Sequence, residues 1–167
     1  MRKAFTLIEL LVSITILSII MIFLYRSYAM INSSNKNFKK ESKKIINIEM
    51  IKKVIYFDFL MAQKDSVYVK NIEKGKDFAY LQSTNSIHQR FNPYITYIVK
   101  DKKLYRLESL KMLKNYDIEP NSEFDVDCLG EVEIFKVYKS STKNIHLINI
   151  KLKSKNELLL KIKSLDI

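Results

Sequence analysis

The sequence is poor in residues that break or cross-link a chain. Its 167 residues include two Gly, two Pro, one Cys and no Trp. So little Gly and Pro excludes collagen-like and proline-rich linker architectures, and it leaves no glycine-rich phosphate loop. The single cysteine, Cys128, excludes both an intramolecular disulfide framework and a cysteine-built zinc site.

Charge is almost missing from the start of the chain. Between Phe5 and Tyr25 the only charged side chain is Glu9, whereas charged residues are dense from Asn32 onward. The whole chain carries 29 Lys and Arg against 18 Asp and Glu, a formal net charge of +11. The division predicts one apolar segment followed by one ordinary domain. The basic excess alone does not indicate nucleic-acid binding.

The apolar run from Phe5 to Tyr25 would span roughly 31 Å as a helix, about one bilayer core. It is longer than the apolar core of a secretory signal, and no A-x-A cleavage pattern follows it. A transmembrane helix is therefore predicted. A plain count of the flanking basic residues would place the C-terminal part in the cytoplasm. The basic residues counted after the span are Arg26, Lys36, Lys39, Lys40, Lys43 and Lys44.

A specific N-terminal pattern opposes that orientation. The segment Arg2–Val12 (RKAFTLIELLV) has a short basic leader, a small residue, Phe, and a Glu four residues later. It resembles the start of type IV prepilins and type II secretion prepseudopilins. The resemblance implies cleavage by a prepilin peptidase between Ala4 and Phe5, N-methylation of Phe5, and a C-terminal part outside the cytoplasm. Ala4 stands where the family most often has Gly.

Glu9 is the residue that the apolar segment does not explain. A carboxylate at the bilayer centre costs about 2.5–3.5 kcal/mol, so an acid in such a span is a functional-site hypothesis. Cleavage would create a positive amine on Phe5, some 6 Å of helical rise below Glu9. The resemblance implies that the amine of a staggered neighbouring subunit pairs with Glu9 and sets the register of assembly. The alternative is an acid that reaches the headgroups.

The rest of the chain predicts an α+β layout. No Gly or Pro precedes Gly75, so one helix is expected to continue to about Met61. Its later half carries an apolar stripe, and we expect a sheet to cover that stripe. The stripe consists of Ile45, Ile48, Ile51, Ile55, Phe59 and Ala62. The predicted divisions are a leader (1–4), a transmembrane helix half (5–31), an amphipathic helix half (32–63) and an antiparallel sheet domain (64–167).

Alternating apolar residues predict the strands and two hairpins. In the last hairpin, Ile148, Ile150 and Leu152 should share the buried face with Leu158, Leu160 and Ile162. This layout agrees with the pilin fold that the resemblance implies, and it looks like that of larger minor pilins and pseudopilins of the J or W type. The predicted strands are 66–69, 78–82, 94–99, 104–107, 132–138, 147–152 and 158–162.

One acidic stretch stands out in this basic chain. Between Asn115 and Glu133 there are seven acids and no Lys or Arg. Asp125, Asp127 and Glu131 have part of the spacing of a calcium loop, although the pattern is incomplete. The alternative, which we favour, is a solvated acidic loop that docks on a basic face of a neighbouring subunit.

The remaining reactive residues suggest no catalysis. His88 and His146 lie among surface-like polar neighbours and show no ordering typical of a nucleophilic site. Cys128 is expected to be a small buried hydrophobe, with pairing between chains as the alternative. The lysines after the span are candidates for contact with anionic headgroups or with DNA phosphates, or they form a solvated helix face.

The sequence therefore predicts a structural subunit that is not an enzyme and has no cofactor. Before processing, it would be a single-pass inner-membrane protein with a cytoplasmic N-terminus and a periplasmic domain. The expected partners are prepilin peptidase, other pilin or pseudopilin subunits, the inner-membrane assembly platform and membrane lipid, with DNA as a weaker candidate. The alternative function is a bitopic membrane sensor or binding protein with an uncleaved signal anchor.

Overall fold

The computed structural model describes residues 6–73, 75–112, 124–140, 144–153 and 157–165. One α-helix precedes seven strands, which is the α+β class expected from the sequence. The backbone divides into two compact units, Met1–Ile48 and Glu49–Ile167. The elements are α1 (Leu7–Leu60), β1 (Tyr68–Glu73), β2 (Lys76–Gln82), β3 (Tyr94–Lys100), β4 (Lys103–Ser109), β5 (Phe124–Lys139), β6 (Ile145–Leu152) and β7 (Glu157–Lys163).

The first unit contains α1 up to Ile48, and the helix is apolar at its start. An 18-residue window of this helix has a mean hydropathy of 2.7 and none of it is buried, so its length and composition suffice to cross a membrane. Hydroxyls within it bond back to the helix: Ser13 Oγ donates to the Glu9 carbonyl at 2.7 Å, and Ser18 Oγ donates to the Ile14 carbonyl at 2.8 Å. These polar side chains therefore need no partner from lipid.

In the second unit, the end of α1 packs against the sheet. The predicted stripe is confirmed from Ile51 onward, because Ile55 and Phe59 have no exposed surface and Ile51 is 4% exposed. The stripe does not extend as far toward the N-terminus as predicted, since Ile45 is exposed and Ile48 is only half-buried.

The seven strands form one sheet in chain order, and each strand is antiparallel to the next. An additional parallel bridge pairs Lys76 of β2 with Phe135 of β5. β5 is long because its first half pairs with β4 and its second half with β6. Gly130 lies at the register shift between β4 and β5 with a φ of 137°. A Cβ there would lie 3.7 Å from Ile51 Cδ1, an ordinary contact distance, so the positive φ is what favours glycine.

Both predicted hairpins are present. The β3–β4 turn consists of Asp101 and Lys102, with φ values of 50° and 59°. Two left-handed residues are the signature of a type I′ turn, which matches the twist of the flanking strands. In the β6–β7 hairpin, the predicted inward face is buried except for Leu158, which is half-buried. The turn predicted at 154–156 lies outside the described residues.

The acidic loop predicted for 115–133 is wrong for its second half. Residues from Phe124 onward lie in β5, where one or three apolar or small residues separate successive carboxylates. The pairing of β5 with β4 and β6 satisfies its backbone hydrogen-bonding groups. The many acids of this stretch did not indicate a strand. Residues 113–123 lie outside the described part of the chain.

A buried polar cluster joins α1 to the sheet. The Arg106 guanidinium of β4 donates from Nε to Asp58 Oδ2 of α1 at 2.7 Å, and from Nη1 to Glu108 Oε2 at 2.7 Å. All three side chains are fully buried. The Tyr97 hydroxyl also donates to Asp58, as does Asn85 Nδ2 at 2.6 Å. The cluster therefore fixes the helix on the sheet through directional bonds as well as apolar packing.

Two of the charges of this cluster, on Arg106 and Glu108, are stabilised by their neighbours. Burial by itself lowers the pKa of Arg106, but the hydrogen bonds and charge of Asp58 outweigh it and raise that pKa. Burial raises the pKa of Glu108, but hydrogen bonds from Ser86, Arg106 and the Ile87 amide outweigh it and hold that pKa below its usual value. Arg106 and Glu108 are therefore charged at neutral pH despite their burial.

Two residues that follow β7 bond to the C-terminal end of α1. Ser164 Oγ donates to the Phe59 carbonyl at 2.9 Å, and the Leu165 amide donates to the Leu60 carbonyl at 2.9 Å. These carbonyls belong to the last turn of α1, where no intrahelical donor remains. Residues just past β7 therefore act as the C-terminal cap of α1.

Candidate functional site

The first turn of α1 is closed by a reciprocal pair, Thr6 and Glu9. Glu9 Oε2 accepts from the Thr6 amide at 2.9 Å and from Thr6 Oγ1 at 2.8 Å. The Glu9 amide in turn approaches Thr6 Oγ1 at 3.4 Å. This is a capping box, in which an N-cap Thr and a Glu three residues later satisfy the first amides of a helix. Glu9 therefore has a local structural task within this chain.

The cap leaves some hydrogen-bond acceptor positions of the Glu9 carboxylate unused. A carboxylate offers about four acceptor positions, and the cap occupies only some of them. The Glu9 side chain also lies at the positive end of the helix dipole, where negative charge is favoured. It can therefore accept a bond from a cationic donor of another chain while it still caps its own helix. The predicted processing residues, Ala4 and Phe5, lie outside the described residues.

The capping role of Thr6 was missed in the sequence reasoning, although a signal for it was present. The spacing of Thr6 and Glu9 fits the S/T-x-x-E pattern that marks the start of a helix. The acid was interpreted only as a charge in an apolar segment. The same pattern predicts that α1 begins at Leu7, as the structure has it.

The three calcium candidates each face a cation. Asp125 Oδ2 accepts from Arg90 Nε at 2.8 Å, and Glu131 Oε2 lies 2.6 Å from Lys153 Nζ. Asp127 Oδ2 lies 3.0 Å from His88 Nε2 and 3.3 Å from Arg106 Nη1. Within the described ranges, no group of three or more His, Cys, Asp or Glu is arranged to hold a metal ion. The structure therefore gives the calcium hypothesis no support.

Two expectations for reactive residues are wrong. Cys128 is exposed on β5, because the alternation of that strand turns it outward. His146 is buried, with only 1% of its surface exposed, because β6 directs it toward Phe59 of α1 at a ring distance of 5.7 Å. Burial, and secondarily the charge of Lys139, lowers the pKa of His146.

Comparison with known families gives a match at the start of the chain. Residues 1–25 match the family described as the prokaryotic N-terminal methylation motif. No curated protein and no solved structure matches the chain. The match covers the basic leader, Ala4, Phe5, Glu9 and most of the apolar segment, and it supports the prepilin and pseudopilin family for this chain. The fold agrees, since a long N-terminal helix followed by an antiparallel sheet is consistent with a pilin.

Proposed function

We propose that this chain is a structural subunit, a minor pilin or minor pseudopilin. Prepilin peptidase would cut it between Ala4 and Phe5 and methylate the new amine of Phe5. The observation that carries the proposal is the methylation motif at residues 1–25, with Glu9 at the first turn of the helix. An exposed apolar helix of this length suits storage in a bilayer followed by packing against other subunits.

Glu9 would link storage of the subunit in the bilayer to its packing in the filament. In the filament, the Phe5 amine of an adjacent subunit would pair with Glu9 away from water, where opposite charges attract far more strongly than in bulk solvent. Because the carboxylate already caps its own helix through Thr6, its position is fixed before the neighbour arrives. A fixed acceptor loses less conformational entropy on pairing than a free side chain does.

The filament would extend from the inner membrane and hold the sheet domain in the periplasm. We infer that the subunit is of the larger J or W type, supported by its long helix and seven-stranded sheet. Its role would be to initiate or cap a type IV pilus or a type II secretion pseudopilus, which serves protein secretion, pilus display or DNA uptake. The assembly platform of the inner membrane would be its partner during incorporation.

Intact-mass analysis of the protein from its native membrane tests the processing step. We expect a mature chain that begins at Phe5 and carries one added methyl group. A strain without prepilin peptidase should retain Met1–Ala4 and serves as the control. Ala4→Gly should be cut at least as completely, because glycine is the usual family residue there. A wild-type chain that still begins at Met1 would instead favour an uncleaved membrane anchor.

A further inference from the structure

Several lysines lie on one side of α1, shortly after its apolar stretch. Successive residues of an α-helix are about 100° apart, so four of these lysines fall within an arc of about 100°. They form what we call the lysine face, which consists of Lys36, Lys39, Lys40 and Lys43. All four side chains are exposed, and the face lies wholly within the first unit.

The positive charge of the lysine face is not neutralised within the described residues. The only acid between Arg26 and Ile48 is Glu41. Its Oε1 lies 2.7 Å from Nζ of Lys44, which is outside the face. No ion pair joins a lysine of the face to a carboxylate in the part of the chain that the structure describes. The face therefore presents four cations on one side of a single helix.

The lysine face begins close to the end of the apolar stretch 7–31. The helix continues without interruption from that stretch into the face. Along the helix axis, Lys36 lies about 8 Å past Ile31 and Lys43 about 18 Å past it. A headgroup layer is about 5–8 Å thick, and charges act over roughly a further 8 Å at physiological salt. If residues 7–31 cross a bilayer, most of the face is therefore within reach of lipid phosphates.

Two properties of the helix bring the lysines closer to the bilayer surface. Side chains of a helix lean toward its N-terminus, which for the lysine face is the direction of the apolar stretch. That stretch is also about 36 Å long, some 6 Å longer than a hydrocarbon core, and an excess of this kind is relieved by tilting. A tilt toward the lysine face lowers its charges onto the headgroups, whereas a tilt the other way lifts them into water.

We propose that the lysine face binds anionic phospholipid headgroups of the bilayer that holds α1. The ligand is argued from position as well as charge, because the bilayer that surrounds residues 7–31 presents its phosphates beside the face. Clusters of lysine next to a membrane span are attracted to anionic lipid, and the attraction grows with each cation. The inference rests on the membrane storage in the proposed function. It does not depend on cleavage at Phe5 or on the side of the membrane that the sheet domain occupies.

Spin-labelled lipids test this inference on the full chain in phosphatidylcholine vesicles. Electron paramagnetic resonance separates lipid that is restricted at the protein surface from free lipid, for labelled phosphatidylglycerol and labelled phosphatidylcholine in parallel. We expect association with phosphatidylglycerol to be at least about threefold stronger, and the preference to fall sharply at about 1 M salt. Replacing all four lysines of the face by glutamine should remove most of the preference. Glutamine has nearly the helix propensity of lysine, so the helix should persist without the charge.

The matched control removes the same charge from the second unit. Four exposed lysines of the strands are replaced by glutamine, and this variant should keep the wild-type preference. The control lysines are Lys70, Lys100, Lys161 and Lys163.

Several results would overturn the inference. An equal preference in the wild-type chain and in the variant without the lysine face would do so, as would a preference that is unchanged at about 1 M salt. A loss of the same size in the control variant would assign the effect to net charge. If the vesicles retain a DNA oligonucleotide at about 0.15 M salt and show no preference for phosphatidylglycerol, the face binds nucleic acid instead.

The phosphatidylcholine signal separates this inference from the proposed function. Restricted phosphatidylcholine without any preference for phosphatidylglycerol would refute the lipid assignment alone, since the helix would still be in the bilayer. No restricted lipid of either kind would show that α1 does not enter the bilayer. That result would refute the membrane storage in the proposed function and, with it, this inference.

Discussion

Arg106 on β4 and Asp58 on α1 form an ion pair with no exposed surface on either side chain, and their Nε and Oδ2 atoms lie 2.7 Å apart. Forty-eight residues separate them in the chain. A buried ion pair stabilises a fold little more than an apolar pair of equal volume does. Removing one partner, however, leaves the other charge buried and unpaired. The pair therefore fixes one placement of the helix end on the sheet, because other placements would leave a buried charge unpaired.

Asp58→Ala should destabilise the protein by about 3–5 kcal/mol, since it leaves the Arg106 guanidinium buried without its main partner. Denaturant unfolding followed by circular dichroism measures the change. The matched control is Glu49→Ala in the same helix, which removes an exposed pair with Lys52 and should cost less than about 1 kcal/mol. A combined Asp58→Leu and Arg106→Met variant should not recover the loss, because it leaves the buried Glu108 carboxylate without its cation. Equal effects of Asp58→Ala and Glu49→Ala would contradict the structural role of the buried pair.

Glu9→Gln separates the two tasks of Glu9. Glutamine keeps an oxygen that can accept from Thr6, so the helix start should persist, but the charge for a neighbouring amine is lost. We expect normal membrane levels and strongly reduced recovery in sheared filaments, measured by immunoblot of the two fractions. Thr6→Ala is the matched control, because it weakens the cap and leaves the charge. Loss of incorporation in Thr6→Ala together with normal incorporation of Glu9→Gln would assign the function of Glu9 to the cap alone.

Acidification should destabilise the domain through His146. Because burial lowers the pKa of this side chain below its usual 6.5, the unfolded chain binds more protons than the folded one in that pH range. The stability that neutral His146 contributes is complete above 6.5 and is lost as the pH falls through the folded-state pKa. The measurement is the free energy of unfolding against pH. His146→Gln should flatten this dependence below 6.5, and an unchanged slope would refute the assignment.

The β3–β4 turn offers a stabilising substitution. Lys102 is held at a φ of 59°, where a side chain costs about 1 kcal/mol relative to glycine. Lys102→Gly should therefore raise the free energy of unfolding by roughly 0.5–1 kcal/mol, as type I′ turns prefer glycine at their second central position. Lys100→Gly, in the adjoining strand, should lower it. Thermal melts of both variants give the comparison, and a lower midpoint for Lys102→Gly would contradict the turn assignment.

The spacing of apolar residues along the chain predicted the helix face and the last hairpin, which depend mainly on that spacing. Period-two alternation was sufficient for the β6–β7 hairpin, and spacings of three and four for the buried residues Ile51, Ile55 and Phe59. The pairing of Asp58 was not predictable, because its partners lie on distant strands and a lone acid in an apolar stripe looks like a solvated residue. The strand character of Asp125 and Asp127 was hidden for the same reason, since Arg90 and Arg106 neutralise them only in the folded domain. At the N-terminus, the match to residues 1–25 supports what the motif indicated.

The bonds from Ser164 and Leu165 to the last turn of α1 have a consequence for biosynthesis. The ribosome makes the helix first and these two residues more than a hundred positions later. Until they emerge, the carbonyls of Phe59 and Leu60 lack the donors that the finished domain gives them. The domain therefore cannot reach its native state before residues 164 and 165 have been made. The apolar start of the helix is thus made well before the sheet domain can be complete, which leaves time for it to meet a membrane first.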